Sequence, residues 1–170
     1  MDELTLHPLP PNDVTDSCVV VLGRFQPLHL GHTWLIKAAE EWRLENSADS
    51  QLVLCIGSSN RPESMTNPWN YNEREEMIRS WLKNEQGFGN VKIVSIPDID
   101  NPPMWVSHAE KYHGKGGSFF TSDSSPRWLS AMTVANLAMA MRNYQVNKRD
   151  NSSEIHMLMD LIDYFIINQR

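Results

Sequence analysis

Cys18-Val19-Val20-Val21-Leu22-Gly23-Arg24-Phe25-Gln26-Pro27-Leu28-His29-Leu30-Gly31-His32 runs from a wholly apolar segment through a polar loop into a helical pattern. The first five residues, three of them β-branched valines, suit a strand buried on both faces, as in a parallel sheet. Gly23 ends that run and a polar loop follows to Gly31. From His32 to about Arg43 apolar residues recur at Trp34, Leu35, Ala38, Ala39 and Trp42, which is helical spacing.

The same alternation continues downstream. Gln51 to Ile56 reads as a second buried strand closed by Gly57, and Ser58 to Tyr71, with Pro62 and Pro68, reads as loop. Asn72 to Lys83 reads as a helix that Asn72 can cap, with Glu73, Glu75 and Glu76 in its first turns and an apolar stripe at Met77, Ile78, Trp81 and Leu82. Val91 to Ile96 is a third strand ended by Pro97, Pro102-Pro103 starts a turn, and Met104 to Tyr112 is a short helix. Gly114 to Gly117 leads into a short strand, Ser118 to Thr121. Helices are expected over Arg127 to Met141 and, amphipathic, over Ser153 to Ile167. This order predicts an α/β fold, a Rossmann-like, doubly wound parallel sheet with helices on both faces. Residues 1–16, broken by Pro8, Pro10 and Pro11, are expected to form an irregular leader, and 17–170 a single domain. Trp34, Trp42 and Trp81 fall on the apolar stripes and are expected in the core.

Across 170 residues the apolar share is 41% and the charged share 21%, ordinary values for a globular chain. A net charge of -6 argues against non-specific nucleic-acid binding but leaves room for a locally basic pocket. Cys18 and Cys55 both sit in apolar runs and read as reduced core residues. The N-terminus has neither a basic nor an apolar signal region, and no apolar run approaches the roughly 20 residues of a membrane span. A cytoplasmic protein without a membrane partner is the expectation.

Ligands of open α/β sheets bind outside the carboxyl ends of the strands, where the loop from Gly23 to His32 stands. A helix that follows such a loop presents unpaired N–H groups and a partial positive charge to an anion. Gly31 allows close approach, His29 and His32 are three apart and can face one group, and Arg24 adds a fixed cation. A single loop histidine is most often structural; two of them around a glycine beside an arginine favour phosphate binding. Metal binding is the weaker functional reading, since no further ligand lies at a recognisable spacing.

Gly23 to His32 resembles the HxGH signature of the nucleotidyltransferase superfamily, in the GRxQPxHxGH form of archaeal-type nicotinamide mononucleotide adenylyltransferases. Gly57-Ser58-Ser59 resembles that family's GSA stretch. Asn67-Pro68-Trp69 with Glu73-Arg74 and Met77-Ile78 resembles its NPFxxxERxxMI block. Ile96-Pro97-Asp98-Ile99 and Met104-Trp105-Val106-Ser107-His108 resemble the segment ending in LWVxH. The resemblance implies an enzyme that joins the AMP of ATP to nicotinamide mononucleotide, giving NAD and pyrophosphate, with Mg²⁺ carried on ATP rather than in a cage of protein ligands. It implies that His29, His32 and Arg24 are catalytic, and that they bind ATP phosphates together with Gly23, Phe25, Gln26 and Gly31. It places Gly57, Ser58, Ser59, Asn67, Arg74, Asp98 and Trp105 around the mononucleotide, with the Trp105 indole stacked on the nicotinamide. On the residues alone, Trp105 is equally suited to the core, Asp98 to a turn, and Arg74 to a surface pair with Glu73.

The family's late SxTxxR element corresponds to Asn151-Ser152-Ser153-Glu154-Ile155-His156, so Ser152, Ser153 and His156 are carried over as phosphate ligands, with His156 where an arginine belongs. Lys148, Arg149 or Arg127 could supply the missing cation. Asn60-Arg61-Pro62 and Pro102-Pro103 also depart from the pattern. These departures keep two other readings open: the same chemistry on another mononucleotide or phosphate acceptor, and a nucleotide-binding sensor with weakened turnover. Exposed apolar residues of the last helix could serve a homo-oligomer.

Overall fold

Four short strands, β1 (Val19–Gly23), β2 (Leu52–Ile56), β3 (Val91–Ser95) and β4 (Ser118–Thr121), form one sheet in the order β3-β2-β1-β4. Every pairing is parallel, with Val19 opposite Leu52 and Ser118, and Leu52 opposite Val91. The computed structural model describes residues 5–121, which lie within the first of two units, Met1–Ser122. The helices expected over 127–141 and 153–167, and the site residues Ser152, Ser153 and His156, lie outside the described residues.

The apolar runs became strands because both sheet faces are covered: all of β2 is buried, and β1 is buried except at half-buried Leu22. The crossovers α1 (Leu30–Asn46) and α2 (Tyr71–Asn84) step in one direction, from β1 to β2 to β3, whereas α3 (Pro102–His113) returns across the sheet to β4. Right-handed crossovers then put α1 and α2 on one face and α3 on the other. Cys18, Val20, Val53, Cys55, Val94 and Ile96 form a cluster with Ala109 and Tyr112 of α3, and Leu22, Trp105 and Phe119 pack against it. The sequence direction reverses between β1 and β4, so their carboxyl ends flank the crevice where ligands of such sheets bind.

Several boundaries differ from expectation. Helix α1 begins at Leu30, two residues before His32, because extended His29 already serves as its N-cap residue. Helix α2 is capped by Asn70 rather than Asn72: the Asn70 side chain accepts from Glu73 N (3.1 Å), and the Glu73 carboxylate accepts from Asn70 N (2.9 Å). Pro102-Pro103 does not form a separate turn but occupies the first positions of α3, where a missing N–H breaks no helical hydrogen bond. Trp34, Trp42 and Trp81 are half-buried, with Trp42 edge-on to Phe120 and Trp81 edge-on to Phe88. Residues 5–16 contain no regular element and are pinned to the sheet and to α3. Tyr112 Oη donates to Pro8 O (2.9 Å), and Lys92 Nζ donates to Asp13 O (2.7 Å) and pairs with its carboxylate (2.8 Å).

Candidate active site

The carboxyl ends of β1, β2 and β3 are stitched together just above the sheet. Gly57 N donates to Gly23 O (2.9 Å), Ile96 N to Ile56 O (2.8 Å) and Ser59 N to Ile96 O (3.1 Å). The loop after β1 departs from this edge through Phe25, whose φ of 50° is uncommon for a bulky residue. Such a conformation costs on the order of 1–3 kcal/mol and persists where packing dictates it. Phe25 is fully buried, and its ring lies so close over Gly23 that a Cβ there would come within 3.2 Å of it. The Phe25 ring also meets the His32 imidazole at a centroid distance of 4.8 Å. Gly23 and Phe25 thus shape the floor beneath the histidines.

His29 and His32 stack, ring centroids 3.8 Å apart and planes 28° apart. His29 is exposed and His32 is buried beneath it. Gly31 gives the stack its room: a Cβ at this position would stand 3.1 Å from the His29 ring, which would have to give by a few tenths of an ångström. Burial, reinforced by the neighbouring His29, pushes the His32 pKa down to about 4, so the ring is neutral at physiological pH. Its Nδ1 is buried and has no hydrogen-bond partner among the described residues. The N-terminus of α1 has no side-chain cap and no acidic residue in its first turn. A neutral imidazole, a solvent-facing imidazole and an uncapped helix N-terminus together favour an anion.

Arg24 and Gln26 are turned toward the 66–69 loop. Arg24 Nη2 donates to Thr66 O (3.1 Å) and Asn67 Oδ1 (3.5 Å). Gln26 Nε2 donates to Asn67 Oδ1 (2.5 Å) and Trp69 O (2.6 Å), and its Oε1 accepts from Trp69 N (3.2 Å). Buried Asn67 in turn donates to Arg61 O (3.1 Å) and Pro62 O (3.2 Å), which makes it a staple between two loops.

Arg74 forms no surface pair with Glu73. It is fully buried, and its guanidinium donates to four main-chain carbonyls: Asn70 (3.2 Å), Arg24 (2.8 Å), Gly57 (2.9 Å) and Ser58 (3.2 Å). Burial, with the like charge of Arg24, lowers its pKa to about 10, so it stays cationic at neutral pH. Arg74 therefore holds the β1 and β2 loops in register and lends them positive charge. Ser58 adopts a φ of 54° here, and Ser59 is buried.

On the β3 side, Asp98 is not an isolated carboxylate. Arg61 Nε pairs with it at 2.7 Å, and Arg61 Nη2 pairs with Asp100. Both carboxylates raise the Arg61 pKa, Asp98 foremost. Trp105, half-buried on α3, packs against the core cluster. Arg61 and Asn60, which binds the Asp98 backbone, were missed as site-building residues; their departure from the family pattern was the available signal. Among the described residues no three His, Cys, Asp or Glu side chains gather to hold a metal ion.

Residues 20–159 match the family described as cytidylyltransferase-like. The chain belongs to this family. Within it, a cytidylyltransferase-like sheet carries the histidine pair at the carboxyl end of its first strand. The chain is 38% identical over 94 residues to the nicotinamide-nucleotide adenylyltransferase of Saccharolobus solfataricus, covering 55% of this chain and 51% of that protein. To the protein of the same name from Picrophilus torridus it is 38% identical over 90 residues, 53% of this chain and 49% of the other. To that from Methanococcus maripaludis strain C5 it is 30% identical over 128 residues, 75% and 65% of the two chains. The match thus spans about half the length of the first two relatives.

Proposed function

We propose that this protein transfers the AMP moiety of ATP to nicotinamide mononucleotide, forming NAD and releasing pyrophosphate. The observation that carries this reading is the stacked His29–His32 pair at the uncapped N-terminus of α1. A phosphate oxygen of the mononucleotide attacks the α-phosphorus of ATP. A new P–O bond forms, the bond from the α-phosphorus to the bridging oxygen breaks, and pyrophosphate leaves with that electron pair. No covalent enzyme intermediate is needed. The protein's task is to hold two anions in line and to stabilise charge developing on the phosphoryl oxygens.

Exposed His29 meets the triphosphate first, with His32 Nδ1 beneath it as a polar group still to be satisfied. The negative charge of the triphosphate favours protonation of His32, so binding ATP opposes the depression caused by burial. Arg24 lies beside the loop, and Arg74 supports it from below. The imidazole and guanidinium donors near α1 do not make an oxygen cage for Mg²⁺, which suits a metal that arrives on the ATP oxygens. Gly57, Ser58, Ser59, Asp98 and Trp105 line the acceptor side in this reading, with Asn67 and Arg74 fixing its loops. The relatives' printed activity supports the choice of substrates. No described helix is long and apolar enough to cross a membrane, and both cysteines are free and buried, in keeping with a reducing cytoplasm.

One observation favours a second acceptor within the same chemistry: the Arg61 guanidinium, held also by Asp100, occupies the Asp98 carboxylate that lines the acceptor side in this reading. Pyrophosphate release from ATP, measured with nicotinamide mononucleotide and a panel of other phosphate acceptors, decides the matter. The expected result is release dependent on nicotinamide mononucleotide. Release with another acceptor alone moves the assignment to that acceptor, and ATP binding without release from any acceptor contradicts adenylyl transfer.

A further inference from the structure

Residues 5–17 precede the family match, which begins at residue 20. Three carbonyls within four residues of this leader are engaged. Thr5 O accepts from Asn60 Nδ2 (2.8 Å), His7 O accepts from Ser59 Oγ (3.5 Å), and Pro8 O accepts from Tyr112 Oη (2.9 Å). Asn60 is the node of this arrangement. The same Nδ2 donates to Asp98 O (2.9 Å), and Asn60 Oδ1 accepts from Asp98 N (2.8 Å). One amide side chain therefore joins the leader, the loop after β2 and the loop after β3.

We propose that Thr5–Pro8 is a strap that positions the acceptor side of the active site, acting through Ser59, Asn60 and Tyr112. The proposal rests on the functional reading above, in which the loops bearing Ser58, Ser59 and Asp98 receive the acceptor. The strap is fastened by main-chain oxygens, so its path matters more than its side chains. The β1 loop on the ATP side is held by Gln26 through Trp69 O and by Arg74 through Arg24 O, neither bond involving the leader, while Arg74 also reaches the β2 loop at Gly57 O and Ser58 O. Loosening the strap therefore acts chiefly on the acceptor side, where its bonds end. The loss of one or two hydrogen bonds of ordinary net strength corresponds to a change on the order of tenfold. Asn60 and Tyr112 are positioning residues in this account, since they act through the segments they hold, whereas Ser59 both receives the strap and lines the acceptor side.

The test compares the full chain with a variant lacking residues 1–8 and with Tyr112→Phe, which removes only the bond to Pro8. Pyrophosphate release gives KM for ATP and for nicotinamide mononucleotide separately. Thermal melting confirms folding, and amide hydrogen exchange is followed at Asp98. The deletion is expected to raise the mononucleotide KM on the order of tenfold while leaving kcat and the ATP KM within about twofold. Tyr112→Phe should move the mononucleotide KM in the same direction by less, and the Asp98 amide should exchange faster in the deletion variant. A KM unchanged for both substrates, or raised equally for both in folded variants, overturns the strap. If the full chain releases no pyrophosphate with any acceptor, the functional reading fails, and unchanged exchange at Asp98 on deletion then overturns the strap independently.

Discussion

At Gly31 the missing side chain is what lets His29 lie on His32. A methyl group there would press on the His29 ring from 3.1 Å, and that ring is exposed and able to swing away. Alanine is also a better helix former than glycine, by up to about 1 kcal/mol in a helix interior and less in a first turn. Gly31→Ala should therefore melt no lower than the unaltered protein, while pyrophosphate release falls, by up to about tenfold, as the His29 ring is displaced from its stack. His32 carries a second consequence. Its folded pKa, about 4, lies below its ordinary value of 6.5. The unfolded chain thus binds more protons in that interval, and stability is lost as pH falls from about 6.5 toward 4. Urea unfolding at pH 7, 5.5 and 4 should show a shallower acid loss for His32→Gln than for the unaltered protein; equal losses would mean that His32 is not the buried neutral group described.

The element most exposed to a single substitution is the junction of α2 with the β1 and β2 loops. Arg74→Met would fit the buried volume but remove the guanidinium from four carbonyl oxygens, of which Asn70 O and Ser58 O keep backbone donors and Arg24 O and Gly57 O lose the bond that joins the two loops. Hydrogen bonds to charged groups are worth about 1.5–3 kcal/mol each, and some oxygens will find water. A net loss of about 3 kcal/mol, or a melting temperature lower by roughly 10 °C, is expected from calorimetry. This role was hidden in the sequence, where Glu73-Arg74 reads either as a surface pair or as a contact to nucleotide phosphate. Arg74 is four residues before Ile78, on the same helix face, and that spacing was the only sign of its burial. The strands were legible because β1 and β2 are wrapped on both sides and so are apolar throughout. Helix starts were not, because they depend on caps. His29 caps α1 without a side-chain bond, two prolines open α3, and Asn70 and Asn72 compete for the same start. The attachment of residues 5–16 was not legible, since the bonds at Thr5, His7 and Pro8 use main-chain oxygens that any sequence would offer, and the Asp13 carboxylate on Lys92 joins residues far apart in the chain.

Over the whole molecule, a chain of net charge -6 places Arg24, Arg74 and the N-terminus of α1 around one loop beside the sheet's reversal point. Local and net charge are separate quantities, and here the local sign suits a polyphosphate. Membership of the cytidylyltransferase-like family accounts for the parallel sheet. The proposed reaction assigns the rest: ATP over α1, the acceptor over the loops of β2 and β3. The most direct test is the formation of NAD from ATP and nicotinamide mononucleotide, measured together with pyrophosphate for the unaltered protein and for His32→Ala. The account predicts one NAD for each pyrophosphate released, and a loss of about 10²-fold or more in His32→Ala with its melting little changed. No NAD from the unaltered protein, or undiminished NAD formation by a folded His32→Ala, would contradict it.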